Sequence, residues 1–128
     1  MDQSRHSIGR SGEFLVMARL SVLGYYCVHS DSYSDDIWIK LPDGSLRTIQ
    51  VKTVTYSTKR SRDGLDQYMF TSKGTDADFY ALVALDIERI LFRTVQKFKT
   101  QTIRIPVAEF TEHAERKSFH MCLKSVER

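Results

Sequence analysis

The stretch from Asp35 to Thr53 constrains the fold of this chain more than any other. It sets β-branched and aromatic residues on both sides of Pro42-Asp43-Gly44-Ser45, four residues that supply the φ values of a tight reversal, and so predicts a β-hairpin. Alternate side chains of a strand share a face, so Asp36, Trp38 and Lys40 point one way and Ile37, Ile39 and Leu41 the other. On the return strand Thr48, Gln50 and Lys52 lie on one face and Ile49, Val51 and Thr53 on the opposite one. With the polar faces aligned, an acid, an amide and an amine converge at one end of a hairpin whose other face is apolar. Such a cluster suits a metal ion. Alternation by itself is equally the mark of the solvated face of a half-buried sheet, and an Asp before a strand is often a turn residue.

Upstream, a helix is expected from Ile8 or Ser11 to Leu23. Phe14, Met17, Ala18, Ser21 and Val22 recur there at helical spacing, and Gly24 stands at the C-terminal cap. Glu13 falls in its first turns with Val16, Met17 and Leu20 on the same side, although the helix dipole alone would explain an acid there. Gly9 and Gly12 are poor helix formers and mark an end where backbone passes close to something. Tyr25 to His29 reads as a strand, and Gln67 to Thr71 as another after a long charged loop, Ser57 to Asp66, a candidate for ordering on a ligand. Phe79 to Asp86 is apolar on both faces, as an interior strand is, and Ile90 to Val95 returns against it. Ile103 to Ile105 is a short strand, Val107 to Phe110 begins a helix, and Thr111 to Arg128 is helical or extended.

The 128 residues suffice for one domain with its own core, and 41% hydrophobic with 27% charged residues argue against disorder and against a membrane class. The longest apolar run, Tyr80 to Leu85, is too short to span a bilayer, and the N-terminus lacks a signal pattern. An intracellular protein of the cytoplasm or nucleoid is therefore expected, not a secreted one. Cys27 and Cys122 form no close-spaced pair, so neither a zinc knuckle nor a redox motif is suggested. His113 and His120 could share a helical face but lack carboxylate support, and His6 and His29 have no partner in sequence. A net charge of +3 helps approach to a polyanion. Lys59, Arg60, Arg62 and Lys73 fall in and around one loop region, Lys97, Lys99 and Arg104 in a second, and Arg116, Lys117, Lys124 and Arg128 near the end. Such clusters are as readily plain solubilisers as binding surfaces.

In chain order, a helix bearing Gly12-Glu13, a strand opening at Asp36 and a strand carrying Gln50-Val51-Lys52 resemble the PD-(D/E)xK nuclease superfamily, over roughly Ile8 to Val95. That superfamily includes many restriction enzymes and the archaeal Holliday junction resolvases. Gly12-Glu13 is similar to its first-helix acid, Asp36 to its central aspartate, and Gln50-Val51-Lys52 to its (D/E)xK element with Gln in the acidic place. Thr75-Asp76-Ala77-Asp78-Phe79 and the adjoining apolar strand are similar to the segment after that motif in group I intron-encoded homing endonucleases, which also carry a Q-x-K variant.

The resemblance implies a single α/β domain over residues 1–128, with a restriction-endonuclease-like fold and a mixed, largely antiparallel central β-sheet flanked by α-helices. It implies an endonuclease dependent on Mg²⁺, with Mn²⁺ able to substitute, that cuts double-stranded DNA at a homing-type specific site. A Holliday junction resolvase, or a catalytically inactive DNA-binding or assembly module of the same fold, is the alternative. Glu13, Asp36 and the Val51 carbonyl would hold the metal, Lys52 would position or deprotonate the attacking water, and Gln50 would ligate weakly or orient a water. The neutral Gln50 removes one negative charge and so favours one metal over two. Asp35 competes with Asp36 for the ligand role. Lys59, Arg60, Arg62 and Lys73 would contact DNA. Cutting both strands asks for two active sites and hence a homo-oligomer, a dimer or tetramer, with residues 111–128 supplying contacts between subunits.

Overall fold

A computed structural model of the protein describes residues 4–30, 36–60, 62–95 and 100–125. Its elements are α1 (Arg5–Val22), β1 (Tyr26–His29), β2 (Ile37–Lys40), β3 (Leu46–Val54), β4 (Thr58–Lys59), β5 (Asp66–Ser72), β6 (Phe79–Ala84), β7 (Arg89–Thr94), β8 (Gln101–Pro106), a 3-10 turn (Val107–Glu109) and α2 (Glu112–Ser125). The expected hairpin is β2 and β3. Gly44 takes φ 88°, and Asp43 Oδ1 accepts from Ser45 N at 2.9 Å and from Ser45 Oγ at 2.6 Å, so the side chain of the turn fixes its own backbone.

The central sheet runs in the order β1-β2-β3-β6-β7, and β3 with β6 is its one parallel pair among the described residues. A second sheet, β4-β5-β8, is antiparallel. Every residue of β6 is buried, as its unbroken apolar run predicts, because β6 serves two cores. Phe79, Ala81 and Val83 pack with Val16 and Leu20 of α1 and Phe119 and Cys122 of α2. Tyr80, Leu82 and Ala84 pack with Tyr68, Phe70 and Ile105 of the second sheet. The α/β architecture is thus three layers, helices over a mixed central sheet over a small sheet.

α1 begins at Arg5, earlier than the sequence suggests, with Ser4 Oγ capping Ser7 N at 3.1 Å. Gly9 and Gly12 sit inside it. A Cβ on Gly12 would stand 1.9 Å from Thr53 Oγ1 and 3.0 Å from Thr53 Cβ, so only glycine lets α1 lie directly on β3. A Cβ on Gly9 would meet nothing nearer than Glu13 Oε2 at 4.0 Å, so the expected close approach holds for Gly12 alone. The buried side of α1 is Gly12, Val16 and Leu20. The stripe expected from Phe14 and Val22 is wrong, for these are 54% and 85% exposed; crossing β3 at Gly12 turns the helix so that Val16 and Leu20 face the sheet.

Three further elements depart from expectation. Thr58–Lys59 forms a short strand within the charged loop, and β8 extends to Gln101–Pro106 because it pairs along the whole of β5. Residues from Val107 make one 3-10 turn, and the helix proper is α2. α2 puts Phe119 and Cys122 into the core and lies against β7. Its buried apolar residues are thus committed to its own core, while Met121 is exposed.

Candidate active site

β2 covers only the first half of β3. The register ends at Ile37 opposite Ile49, whereas β3 continues to Val54. Asp36, just before β2, therefore stands where the edge of β3 becomes uncovered. Its N–H donates to Ile49 O at 2.9 Å, and its Oδ2 accepts from Val51 N at 2.8 Å and from Gln50 Nε2 at 2.9 Å. The N–H and C=O of a strand residue point to the same side, so the Val51 carbonyl lies on this uncovered edge as well. Alternation holds as expected: Ile49 and Val51 are buried under the helices, and Gln50 and Lys52 are half-buried on the opposite face.

The Gln50 amide is held from both ends. An ionised carboxylate only accepts, so the amide atom against Asp36 is the nitrogen, and Gln50 Oε1 accepts from Thr75 Oγ1 at 3.4 Å. Thr75 is buried in the loop between β5 and β6, where its hydroxyl also accepts from Ala77 N at 3.1 Å. Asp78 fastens that loop to β3: Thr48 N donates to Asp78 Oδ2 at 2.9 Å, and Asp78 N donates to Thr48 O at 3.0 Å.

Glu13 arrives from the other layer. Because α1 lies on β3 at Gly12, the next residue reaches the site, where Glu13 Oε1 meets His29 Nε2 of β1. The Phe14 ring lies beside the imidazole with centroids 6.0 Å apart. Burial pushes the Asp36 carboxyl above its ordinary value and the charge of Glu13 adds to this, against the Val51 N–H, Lys52 and His29, which favour the charged form. Asp36 is thus surrounded by Glu13, Lys52 and His29. Among the described residues nothing bonds to Asp36 Oδ1 or Glu13 Oε2, and Lys52 makes no ion pair.

No group of three or more His, Cys, Asp or Glu side chains among the described residues could hold a metal ion. The protein's donors here are two carboxylates, each with one uncommitted oxygen, and one backbone carbonyl. All are hard oxygens. That set fits Mg²⁺ or Mn²⁺, which bind through one or two carboxylates and take their remaining ligands from water and substrate phosphate.

The structure does not bring the four basic residues expected on DNA into one loop. Lys59 is exposed on β4 and Arg62 in the β4–β5 turn, but Arg60 is tied to Asp63 at 3.0 and 2.5 Å. Lys73 stands at the far end of β5, about 20 Å away at the usual strand rise. It precedes Thr75 and so lies on the Gln50 side of the site. Asp35, Lys97, Lys99 and Arg128 lie outside the described residues. His113 and His120 are exposed on α2.

A groove of about 460 Å³ opens beside the site, between Arg5, Ile8 and Gly9 of α1 and Thr53 to Tyr56, Thr58 and Met69. Two residues of the site, His29 and Thr75, escape a reading of the sequence because their partners lie in other elements. Only the alternation of β1, which puts His29 on the helix side, hints at the first.

No protein-family model matches the chain, and no curated protein matches it in sequence. Among solved structures, the fold is similar to that of a bacterial homing endonuclease, I-Ssp6803I, with a TM-score of 0.67 over 97% of this chain and 94% of that one at 20% identity.

Proposed function

We propose that the protein is a metal-dependent endonuclease that hydrolyses phosphodiester bonds of double-stranded DNA at specific sites, as a homing endonuclease does. The observation that carries this reading is the pair of half-committed carboxylates, Asp36 at the uncovered edge of β3 and Glu13 close enough for its charge to act on it, with Lys52 near enough to act on Asp36 as well. The fold shared with a homing endonuclease supports it.

Glu13 Oε2, Asp36 Oδ1 and the Val51 carbonyl would hold a divalent cation. When bound, that ion polarises the scissile phosphate and acidifies a water. Gln50, braced by Thr75, and the Val51 N–H hold Asp36 Oδ2, which leaves Oδ1 for the ion. His29 does the same for Glu13 by engaging Oε1. Lys52 shares the face of Gln50 and sets its ammonium where charge grows on the phosphate oxygens, or orients the attacking water. Gln50 acts as a positioning group for Asp36 rather than as a strong ligand. A dimer or tetramer of the chain supplies the second centre needed to cut both strands.

The test is cleavage of a randomised duplex library and of a four-way junction, with Mg²⁺, Mn²⁺ or EDTA, by the native chain, Asp36→Ala and Lys52→Ala. Metal-dependent cleavage of duplex, lost in both variants, is expected. Cleavage that persists in EDTA or in both variants overturns the proposal, and preference for the junction replaces the homing reading with a resolvase.

A further inference from the structure

We propose that the outer face of the β4-β5-β8 sheet reads base pairs in the major groove of the duplex whose phosphate is held at Asp36; this rests on the endonuclease reading. The face is set by register. Tyr68, Phe70 and Ile105 point inward to the core, so Gln67, Met69 and Thr71 of β5, Thr102 and Arg104 of β8 and Thr58 of β4 point outward, paired as Thr58 with Gln67, Met69 with Arg104 and Thr71 with Thr102. All but the half-buried Gln67 are exposed, and Met69 is 44% exposed.

Three observations favour duplex DNA as the occupant. These six side chains are those that recognise base edges: a guanidinium fork for guanine, an amide for adenine, and methyl-bearing groups for the thymine methyl. In a chain with 16 acids, none of the six is acidic. The one charge among the six, Arg104, is positive, as approach to a polyanion requires.

Position supplies the second argument. Gln50 pairs with Tyr80 in register, and Tyr80 Oη donates to Ser72 Oγ at 2.8 Å, so the Ser72 end of β5 is level with the active site. At its other end Tyr68 Oη donates to Asp86 Oδ1 at 2.8 Å, past the end of β6. β5 thus runs away from the catalytic carboxylates, and the groove lined by Thr58 and Met69 joins this face to Thr53, the residue after Lys52.

Dimensions are the third. β5 extends about 20 Å, the rise of roughly six base pairs, and a ribbon of two strands about 4.8 Å apart enters a major groove about 12 Å wide. Lys59 and Arg62 at the β4–β5 turn then lie along the flanking phosphates.

The experiment is selection of bound sequences from a randomised duplex library in Ca²⁺, so that no turnover is required, with the native chain, Arg104→Ala, Arg104→Lys and Gln67→Ala. The native chain should enrich a motif. Arg104→Ala should lose discrimination at one or two adjacent positions by about 10-fold, and Gln67→Ala at a different position. Arg104→Lys keeps the charge but not the fork, so it should relax the same position as Arg104→Ala while total affinity stays near native. A motif unchanged in all three variants, or no motif from the native chain, overturns the proposal. Because binding is read without cleavage, a protein that selects a motif yet never cuts would sink the endonuclease reading and leave the reading face standing.

Discussion

Among the described residues α1 carries two contacts between an acidic and a basic side chain, and they are finished to different degrees. Glu115 of α2 is 7% exposed and engaged at both oxygens: Oε1 accepts from Arg19 Nη1 at 2.9 Å and from Ile90 N at 3.0 Å, and Oε2 accepts from Arg19 Nη1 at 2.7 Å. Arg19 Nη2 also donates to Glu88 O at 2.8 Å. Glu13, less than two turns earlier on the same helix, has Oε1 on His29 and no partner for Oε2 among the described residues. Asp36 repeats the second pattern. Glu115 is engaged at both oxygens from within the fold, whereas Glu13 and Asp36 are each fixed by one oxygen and open at the other among the described residues.

The largest test of this contrast exchanges the two consequences. Asp36→Asn should lower metal-dependent cleavage on the order of 10³-fold. Its effect on stability has the opposite sign. The folded-state Asp36 carboxyl is raised above its ordinary value of 3.8, chiefly by burial. The folded chain then holds that proton more tightly than the unfolded one, and ionising it costs stability as pH rises through and beyond 3.8. Without divalent metal, Asp36→Asn should therefore melt higher than the native chain at pH 7, with the gap closing towards pH 3. Glu115→Ala should do the reverse, losing about 3 kcal/mol in urea unfolding because Arg19 and the Ile90 N–H are stranded. The part of Arg19 that reaches solvent limits the loss, and cleavage per folded molecule should stay near native.

Gly12→Ala comes next. The added methyl would meet Thr53 Oγ1 and Cβ at once, so α1 must lift from β3. A loss of about 2 kcal/mol is expected, with weaker Mn²⁺ binding by calorimetry because Glu13 moves with the helix. Thr53→Ala in the same chain removes the nearest atom and should restore part of both. Stability lost with metal binding intact would show that Glu13 is not held through this crossing. His29→Ala is smaller, since Glu13 keeps its place on the helix and loses only the group that fixes its rotamer. Mn²⁺ affinity should fall about 10-fold. His29→Gln, which can present an N–H near the Nε2 position, should recover most of it; equal loss in both would reduce His29 to packing against Phe14.

The hairpin and β6 were legible because their signals are local. Gly44 and Asp43 make their own turn, and six apolar residues in a row need no partner to be identified as interior. Asp36, Gln50 and Lys52 were legible through alternation on those strands. What the sequence hid depends on distant contacts. β4 is two residues long and exists only because β5 pairs with it, α2 is a mostly polar helix whose anchors are Phe119 and Cys122, and His29 and Thr75 reach the site through Glu13 and Gln50 on other elements. The buried side of α1 was misjudged for the same reason. A small residue that permits close approach, Gly12, outranked the larger apolar Phe14 in setting which way the helix faces.

Gly9→Ala is the smallest expected effect and the sharpest check on that last point. Gly9 and Gly12 are three residues apart on one helix, and intrinsic propensity gives both the same gain of about 1 kcal/mol on replacement by Ala. At Gly9 nothing opposes the gain, since the methyl would find only Glu13 Oε2 at 4.0 Å, an ordinary contact. Unfolding in urea should therefore show stabilisation by roughly 0.5–1 kcal/mol, the reverse of Gly12→Ala. Mn²⁺ binding should be unchanged, because a methyl at that distance leaves Oε2 open. Stabilisation with weakened Mn²⁺ binding would mean that Oε2 needs the space above Gly9 for the ion's water shell, and that this glycine is kept for the metal rather than for the helix.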